Sequence, residues 1–429
     1  MHSSLEQQLI SLRREFHMYP EAGWTEFRTT ARIVEELMSE GIPVRWGKEI
    51  HSPENMLGLP SDDILEHAWQ RALEHTGLNE ILLPMRGGYT GCIARIDGAH
   101  PGKVTVLRVD IDSCQLDEST DISHLPAREG FSSLYPGCMH ACGHDAHAAI
   151  GVGAAKLLWQ QRDKLCGTVY VLFQPAEEGL RGAASMVSAL PEGCHQLIGL
   201  HVGVHDLPVG TVAAGSSGFL SSTKLDILFH GKAAHAGICP ELGRNALAAG
   251  AKSTLELLAL PEKHSGLCRV NVGTFHAGSG RNVIPAEAHL AVETRSDNAE
   301  QNVQLCAEAE AICIHAADTY GCTVDIIKMG GANGAECDAS LMERTSDILS
   351  SMPQIVQVLP CVPFGGSEDI TTMMRKVQAG GGQATELVIA MPLIAPHHSS
   401  IFDIDENVIP LGAEIFTQLA LSLGQPHQQ

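Results

Sequence analysis

Met139-His140-Ala141-Cys142-Gly143-His144-Asp145-Ala146-His147 puts a thiol, three imidazoles and a carboxylate at the mouth of an Ala/Gly-rich stretch, Ala146 to Trp159, whose pattern predicts a helix. On either side lie short apolar runs that predict strands: Gly91 to Ile96 and Val104 to Val109 before it, Thr168 to Phe173 and Gln196 to Leu200 after it. Short apolar strands alternating with helices predict an α/β fold with a mostly parallel sheet flanked by helices and buried on both faces. Chemistry-bearing residues fall where such a sheet gathers its sites, at the carboxyl ends of strands. Asp110 and Asp112 follow Val104–Val109, Glu177 and Glu178 follow Thr168–Phe173, and His201 caps the next strand.

The N-terminal residues 3 to 40 predict amphipathic helix, with Leu5, Leu9, Leu12 and Phe16 at helical spacing and a break at Tyr19-Pro20. Residues 45 to 90 form an excursion: a Pro- and Gly-rich stretch, a helix from Asp62 to His75, then Arg86-Gly87-Gly88-Tyr89. Gly215-Ser216-Ser217-Gly218 reads as a hinge. Beyond it the pattern gives strand (Lys224 to Phe229), helix (Asn245 to Leu258), strand (Cys268 to Phe275), strand (Glu287 to Arg295), helix (Asn298 to Tyr320) and strand (Thr323 to Met329). That β-α-β-β-α-β order predicts a ferredoxin-like α+β unit. Three blocks follow: 1–215 as the first part of a larger domain, 216–331 as an inserted small domain, and 332–429 as the second part of the larger domain.

The 429 residues carry 28 basic and 50 acidic side chains, a net charge of −22, which opposes binding to nucleic acid or to an anionic membrane. No apolar run approaches the ~20 residues of a membrane helix, and Met1-His2-Ser3-Ser4-Leu5-Glu6 lacks the basic and apolar pattern of a signal peptide. The 13 cysteines are odd in number and spread along the chain, as in a reducing compartment. A cytoplasmic protein is the expectation.

Thiolate and imidazole suit borderline-soft divalent metals such as zinc. With 13 Cys and 22 His in the chain, Cys142-x-His144 decides little alone. It gains weight from Gln174-Pro175-Ala176-Glu177-Glu178-Gly179, from Leu200-His201-Val202 and from Pro396-His397-His398-Ser399. Adjacent carboxylates usually lie on a solvated helix face; Glu177 and Glu178 instead follow a Gln-Pro at a strand end, where neither helix nor strand continues easily. His201 among apolar neighbours also suits a satisfied core histidine. A metallohydrolase is the leading reading. A thiol hydrolase using Cys142 as nucleophile, which chelators would spare, is one rival. Another is a non-catalytic, partner-binding subunit of a hetero-oligomer, against which the intact Glu177-Glu178 pair argues.

The motifs His140-Ala-Cys-Gly-His-Asp-Ala-His147, Gln174-Pro-Ala-Glu-Glu-Gly179, His201, Gly231-Lys-Ala-Ala-His235, Asn282-Val-Ile-Pro285, Gly366-Ser-Glu-Asp369 and His398 stand in one order across residues 5 to 420. Together they resemble the M20 metallopeptidases, in the amidohydrolase branch that holds auxin-conjugate hydrolases, hippurate hydrolases and aminoacylase-like carboxypeptidases. The resemblance implies Cys142, His144, Glu178, His201 and His398 as metal ligands, with His397 the bystander of its pair, and Glu177 as the general base. It implies an inserted dimerisation or lid domain whose His235 reaches a partner subunit's site to stabilise the oxyanion, with Asn282 on the same substrate-facing edge. Arg281, a fixed cation beside Asn282 in an acidic chain, is the candidate grip for a substrate carboxylate. Asp145 is expected to orient an imidazole; Asp110, Asp112 and Glu368 are expected to support the centre, and His140 to be structural. The implied cofactor is a divalent metal, two Mn2+ per subunit, with Zn2+ also suited to a Cys ligand. The implied reaction cleaves the amide between an acyl or aroyl group and an amino acid, p-aminobenzoyl-glutamate above all, as in folate breakdown. A general N-acyl-amino-acid or N-acetyl-diaminopimelate deacylase is the alternative, and a homodimer or a heterodimer with a sister subunit the implied assembly.

Overall fold

The structure, a computed structural model, describes residues 2–425. The chain forms two compact units: Met1–Ser217, Ala335–Phe364 and Asp369–Gln429 make the first, Gly218–Gly334 and Gly365–Glu368 the second.

The first unit is built on an eight-stranded sheet in the order β1-β2-β4-β3-β5-β14-β6-β12. These strands are β1 (Val44–Trp46), β2 (Cys92–Asp97), β3 (His100–Asp110), β4 (Cys166–Gln174), β5 (Gln196–Asp206), β6 (Thr211–Ala213), β12 (Gln357–Leu359) and β14 (Gln383–Met391). Its centre, β4-β3-β5-β14, is parallel throughout, while β1, β2 and β6 join antiparallel. A two-stranded parallel piece, β7 (Ser216–Ser217) with β13 (Val362–Pro363), stands apart. The predicted strands sit inside the observed ones, except that β2 starts at Cys92, one residue after the predicted Gly91.

His201 does not cap its strand. Pairing with β3 ends at Arg108↔Gly199, but pairing with β14 continues through Val388↔His201 to Met391↔Asp206, which carries β5 past the histidine. The apolar run in the sequence stops at Leu200 because the functional side chain interrupts it, not because the backbone turns.

The helix His144–Gln160 is apolar nearly all round and buried over most of its length, as expected for a helix at the centre of a domain. Its small residues allow close approach: a Cβ on Gly151 would lie 2.6 Å from the Phe173 ring and 2.8 Å from Val109. The helices His2–Met18, Phe27–Ser39 and Val408–Leu423 bury their apolar stripes in the same core, through Leu9, Phe16, Val34, Leu411 and Phe416 among others. The excursion adds its own small cluster, with Ala68, Trp69 and Ala72 of the helix Asp62–Thr76 packing with Leu82 and Met85 against Phe27 and Ala31.

The second unit is a four-stranded antiparallel sheet, β11-β8-β10-β9, made of β8 (Ser221–His230), β9 (Cys268–Ala277), β10 (Glu287–Ser296) and β11 (Thr323–Ala332). Helices Ala246–Ala259 and Ala299–Thr319 supply Ala249, Leu257, Leu305 and Cys313 to its core. Both helices start one residue later than the sequence pattern suggests, because Asn245 and Asn298 are caps: their side chains accept from the backbone N–H of Ala248 and Gln301.

Candidate metal centre

Loops at the carboxyl ends of the parallel strands converge on one region. Cys142, His144 and His201 bring one donor atom each to within 4.8 Å of one another; so do His144, Glu177 and Glu178. Gly143 permits the first convergence. Its φ is +87°, and a Cβ there would meet Val202 at 2.7 Å, so no other residue lets Cys142 and His144 face β5 this closely.

The imidazoles are fixed in orientation. His144 turns Nδ1 to the backbone carbonyl of Asp112 at 3.0 Å, and its buried Nε2 has no hydrogen-bond partner. His201 turns Nδ1 to the carbonyl of Val202 at 2.8 Å and Nε2 to Cys142 Sγ at 3.6 Å. A carbonyl behind each ring holds the proton on Nδ1 and leaves the Nε2 lone pair for a metal. His147 lies against both rings but is spent: Nδ1 meets Asp110 at 2.6 Å and Nε2 accepts from the N–H of Val202 at 3.0 Å. It positions β5 and donates nothing to the centre.

The Glu177-Glu178 turn is shaped by Ala176 and Leu180, both left-handed with φ +52° and +61°. Asp112 clamps it, Oδ1 accepting from the N–H of Glu177 and Oδ2 from that of Glu178, each at 2.9 Å. Arg181 then donates Nε to the Glu178 carbonyl and another guanidinium N–H to the Gly58 carbonyl, which ties the excursion to this turn. Beneath it, Arg108 is fully buried and joins Gln174, Asp110 and Asp369.

Of the histidine pair, His398 is the one turned to the centre. Its Nε2 donates to Glu178 Oε1 at 3.1 Å, its N–H bonds the carbonyl of Ala141 at 2.8 Å, and its φ is +61°. His397 donates Nε2–H to the Gly203 carbonyl and packs against Phe402 and His201. Burial opposes ionisation of Glu178, but His398, His144 and Cys114 together draw the carboxyl down to about 2. Burial, reinforced by Glu178, holds the Cys142 thiol well above its ordinary range. A buried thiol among carboxylates becomes a thiolate only opposite a cation. Soft sulfur, Nε2 lone pairs and an ionised carboxylate around one point form a donor set that fits a divalent cation.

Asp145 touches none of these rings. Its carboxylate meets Arg13 Nε at 2.7 Å and His17 Nδ1 at 2.8 Å, so the imidazole it orients belongs to the N-terminal helix. His140 is buried with both ring nitrogens unpaired by hydrogen bonds. His235, Arg281 and Asn282 lie together in the second unit, where Val283 bridges His235 and the N–H of Ala236 bonds the Asn282 carbonyl at 3.0 Å. His235 is exposed, and its Nδ1 accepts from the N–H groups of Gly237 and Ile238, which leaves an Nε2–H donor facing outward. Arg281, also exposed, forms no ion pair among the described residues. Glu368 is buried and falls with the second unit.

Residues 106–422 match the sequence profile of Peptidase family M20/M25/M40. The chain belongs to this family. It is 40% identical over 417 residues to indole-3-acetyl-aspartic acid hydrolase of Enterobacter agglomerans, covering 97% of this chain and 95% of that protein. It is 40% identical over 422 residues to the A subunit of p-aminobenzoyl-glutamate hydrolase from Escherichia coli K12, covering 98% and 97%. Among solved structures, an aminobenzoyl-glutamate utilization protein from Klebsiella pneumoniae aligns with a TM-score of 0.83 at 32% identity, over 98% of this chain and 97% of that one. As an M20 member the chain is a hydrolase of amide bonds, and its side chains supply a divalent-metal ligand set.

Two residues of this M20 centre escape a reading of the sequence. Cys114 donates its thiol to Glu178 Oε1 at 2.9 Å, and Arg108 organises the buried carboxylates. A strand-exit thiol and a mid-strand arginine carry no motif of their own. Asp112, by contrast, is legible from its place after β3, and its clamp makes a test. Asp112→Ala leaves two buried N–H groups unpaired and frees the Glu178 turn. Metal affinity is then expected to fall about 10–100-fold, read by competition with a chelating dye.

Proposed function

We propose that this protein is a metal-dependent amidohydrolase that cleaves an aromatic acyl group from an acidic amino acid, with p-aminobenzoyl-glutamate and water giving p-aminobenzoate and glutamate. The observation that carries the substrate class is shared by the two 40%-identical relatives: each is named for an aromatic acyl conjugate of a dicarboxylic amino acid. In an acidic chain, Arg281 beside Asn282 offers such a substrate a cation that forms no ion pair among the described residues, able to hold a carboxylate by paired hydrogen bonds.

In this reading Cys142, His144, Glu178, His201 and His398 hold the divalent cations, two Mn2+ per subunit, with Zn2+ as the alternative. Bound there, the cations supply Lewis-acid charge that acidifies a water and polarises the scissile carbonyl. Glu177 takes the proton from that water and returns it to the leaving nitrogen of the amino acid. His235 donates Nε2–H to the developing oxyanion of a partner subunit's substrate, Arg281 and Asn282 hold the amino-acid end, and Cys142 acts as ligand rather than nucleophile. Residues 216–331 serve as the dimerisation or lid domain, in a homodimer or in a heterodimer with a sister subunit. The activity belongs to the cytoplasmic breakdown of folate catabolites.

The test is release of p-aminobenzoate from p-aminobenzoyl-glutamate by the purified, manganese-loaded chain, with and without chelator. Release abolished by chelator upholds the proposal. Faster turnover of N-acetyl-diaminopimelate or of neutral N-acyl-amino acids would replace the substrate class with the deacylase reading. Turnover indifferent to chelator would transfer the chemistry to the Cys142 thiol. Arg281→Ala is expected to raise KM for acyl-glutamates at least tenfold more than for a neutral acyl-amide, the loss of a charged hydrogen-bonded contact being worth about 1.5–3 kcal/mol; equal effects on both substrates would remove Arg281 from the carboxylate.

A further inference from the structure

Cys114 stands on the loop that leaves β3, two residues beyond the Asp112 clamp, and is almost entirely buried. Its backbone is pinned from both sides: its N–H bonds the Met139 carbonyl at 2.9 Å, and the Met139 N–H bonds its carbonyl at 3.0 Å. Met139 opens the loop that delivers Cys142. One short pairing therefore aims two thiols, from separate segments, at the same region.

Cys114 Sγ lies 2.9 Å from Glu178 Oε1, and that same oxygen lies 3.1 Å from His398 Nε2. All three donor atoms fall within 4.8 Å of one another, a second convergent set beside that of Cys142, His144 and His201. The spacing is that of ligands about one ion. With metal–sulfur bonds of about 2.3 Å and metal–nitrogen or –oxygen bonds of about 2.0–2.1 Å, neighbouring donors of a tetrahedral site stand roughly 3.3–3.6 Å apart. Cys114 Sγ and His398 Nε2 need to part from Glu178 Oε1 by less than about 1 Å to admit a cation. The two sets meet through Glu178, which also converges with His144 and Glu177.

We infer that Cys114 is a second sulfur ligand of the centre, binding the cation held by Glu178 and His398, so that two thiolates from different loops share the metal site. Ligation replaces the S–H bond of Cys114 with a sulfur–metal bond, and the proton leaves to solvent. The inference rests on the reading of this region as a divalent-cation site. It has a consequence for metal choice: soft sulfur on both sides favours zinc and cobalt over manganese, which prefers oxygen.

The experiment uses the full-length chain loaded with Co2+, whose sulfur-to-cobalt charge-transfer absorption reports thiolate ligands without reference to turnover. X-ray absorption gives the sulfur count per ion. In Cys142→Ser the charge-transfer band is expected to persist at reduced intensity, and to vanish only when Cys114→Ser is added. Cys114→Ser alone is expected to lower the sulfur count by half an atom per ion and to weaken Zn2+ binding at least tenfold, with a smaller change for Mn2+. Cys361→Ser, which alters an exposed cysteine that belongs to none of the convergent donor sets, is expected to change neither. Cobalt bound by Cys142→Ser with no sulfur band would overturn the role of Cys114 and leave the cation site standing. No stoichiometric cobalt in the unaltered chain would overturn both. If Cys142→Ser does not hold cobalt, the count in Cys114→Ser against the unaltered chain decides, and an unchanged count refutes the inference.

Discussion

Glu177→Gln is expected to lower kcat by about three orders of magnitude while metal content and KM stay close to those of the unaltered chain. The substitution keeps the shape of the side chain and the backbone bond to Asp112, so the turn that presents Glu178 is undisturbed. What disappears is a proton acceptor, and loss of a positioned general base typically costs about 10²–10⁴-fold. Glu177 is nearly buried beside Glu178 and His144, with no second carboxylate on its own turn free to substitute, since Glu178 is engaged by Cys114 and His398. Steady-state kinetics on p-aminobenzoyl-glutamate with metal analysis of the same sample checks it. A fall in kcat matched by loss of metal would show that Glu177 holds a cation; a fall below tenfold with metal intact would remove it from proton transfer.

The second large effect is on stability. Arg13 is completely buried and lies 2.7 Å from Asp145, 2.6 Å from Asp403 and 3.4 Å from Glu406. It links the N-terminal helix, the start of the helix His144–Gln160 and the segment before the helix Val408–Leu423. Burial alone would raise the Asp145 carboxyl, but Arg13, with His17 and His140 beside it, keeps the group ionised far below the usual carboxylate range. Arg13→Met removes the cation and leaves Asp145 and Asp403 buried without it, a loss on the order of 3–5 kcal/mol. Arg13→Lys is expected to recover only part of this, because one ammonium cannot reach Asp145 and Asp403 in the forked geometry that a guanidinium spans. Denaturant unfolding measures the loss. Since Asp145 follows His144 directly, metal affinity should drop alongside; a Met variant as stable as the parent would mean that the carboxylates find other partners or protons.

The alternation of apolar runs made the parallel centre and the antiparallel insert legible in the sequence. Both signals are periodic and local, and the predicted elements lie within or within a residue or so of the observed ones. Strands of two or three residues, such as β6, β7, β12 and β13, leave no period to read. The donor residues were legible because their types are rare together and fall at strand ends. Cys114 was not: Asp112-Ser113-Cys114-Gln115 resembles any strand exit, and its relevance depends on a pairing with Met139 that no spacing reveals. The partner of Asp145 was hidden for the same reason, since Arg13 and His17 lie over a hundred residues away. Between His397 and His398 the side chains are identical; a left-handed backbone at 398 and a bond to Ala141 separate their roles.

The sheet order has a consequence for how the protein matures. β14 pairs directly with β5, although nearly 180 residues, the whole second unit among them, lie between the two strands. His398 comes just after β14, so the proposed donor set is complete only when almost the whole chain has been made. At about 5–20 residues per second, roughly 13–50 s separate the emergence of His144 from that of His398 on a ribosome. Once His201 has emerged, four of the five proposed donors exist and only His398 is outstanding. On the proposed ligand assignment, the complete donor set therefore forms only in the finished chain.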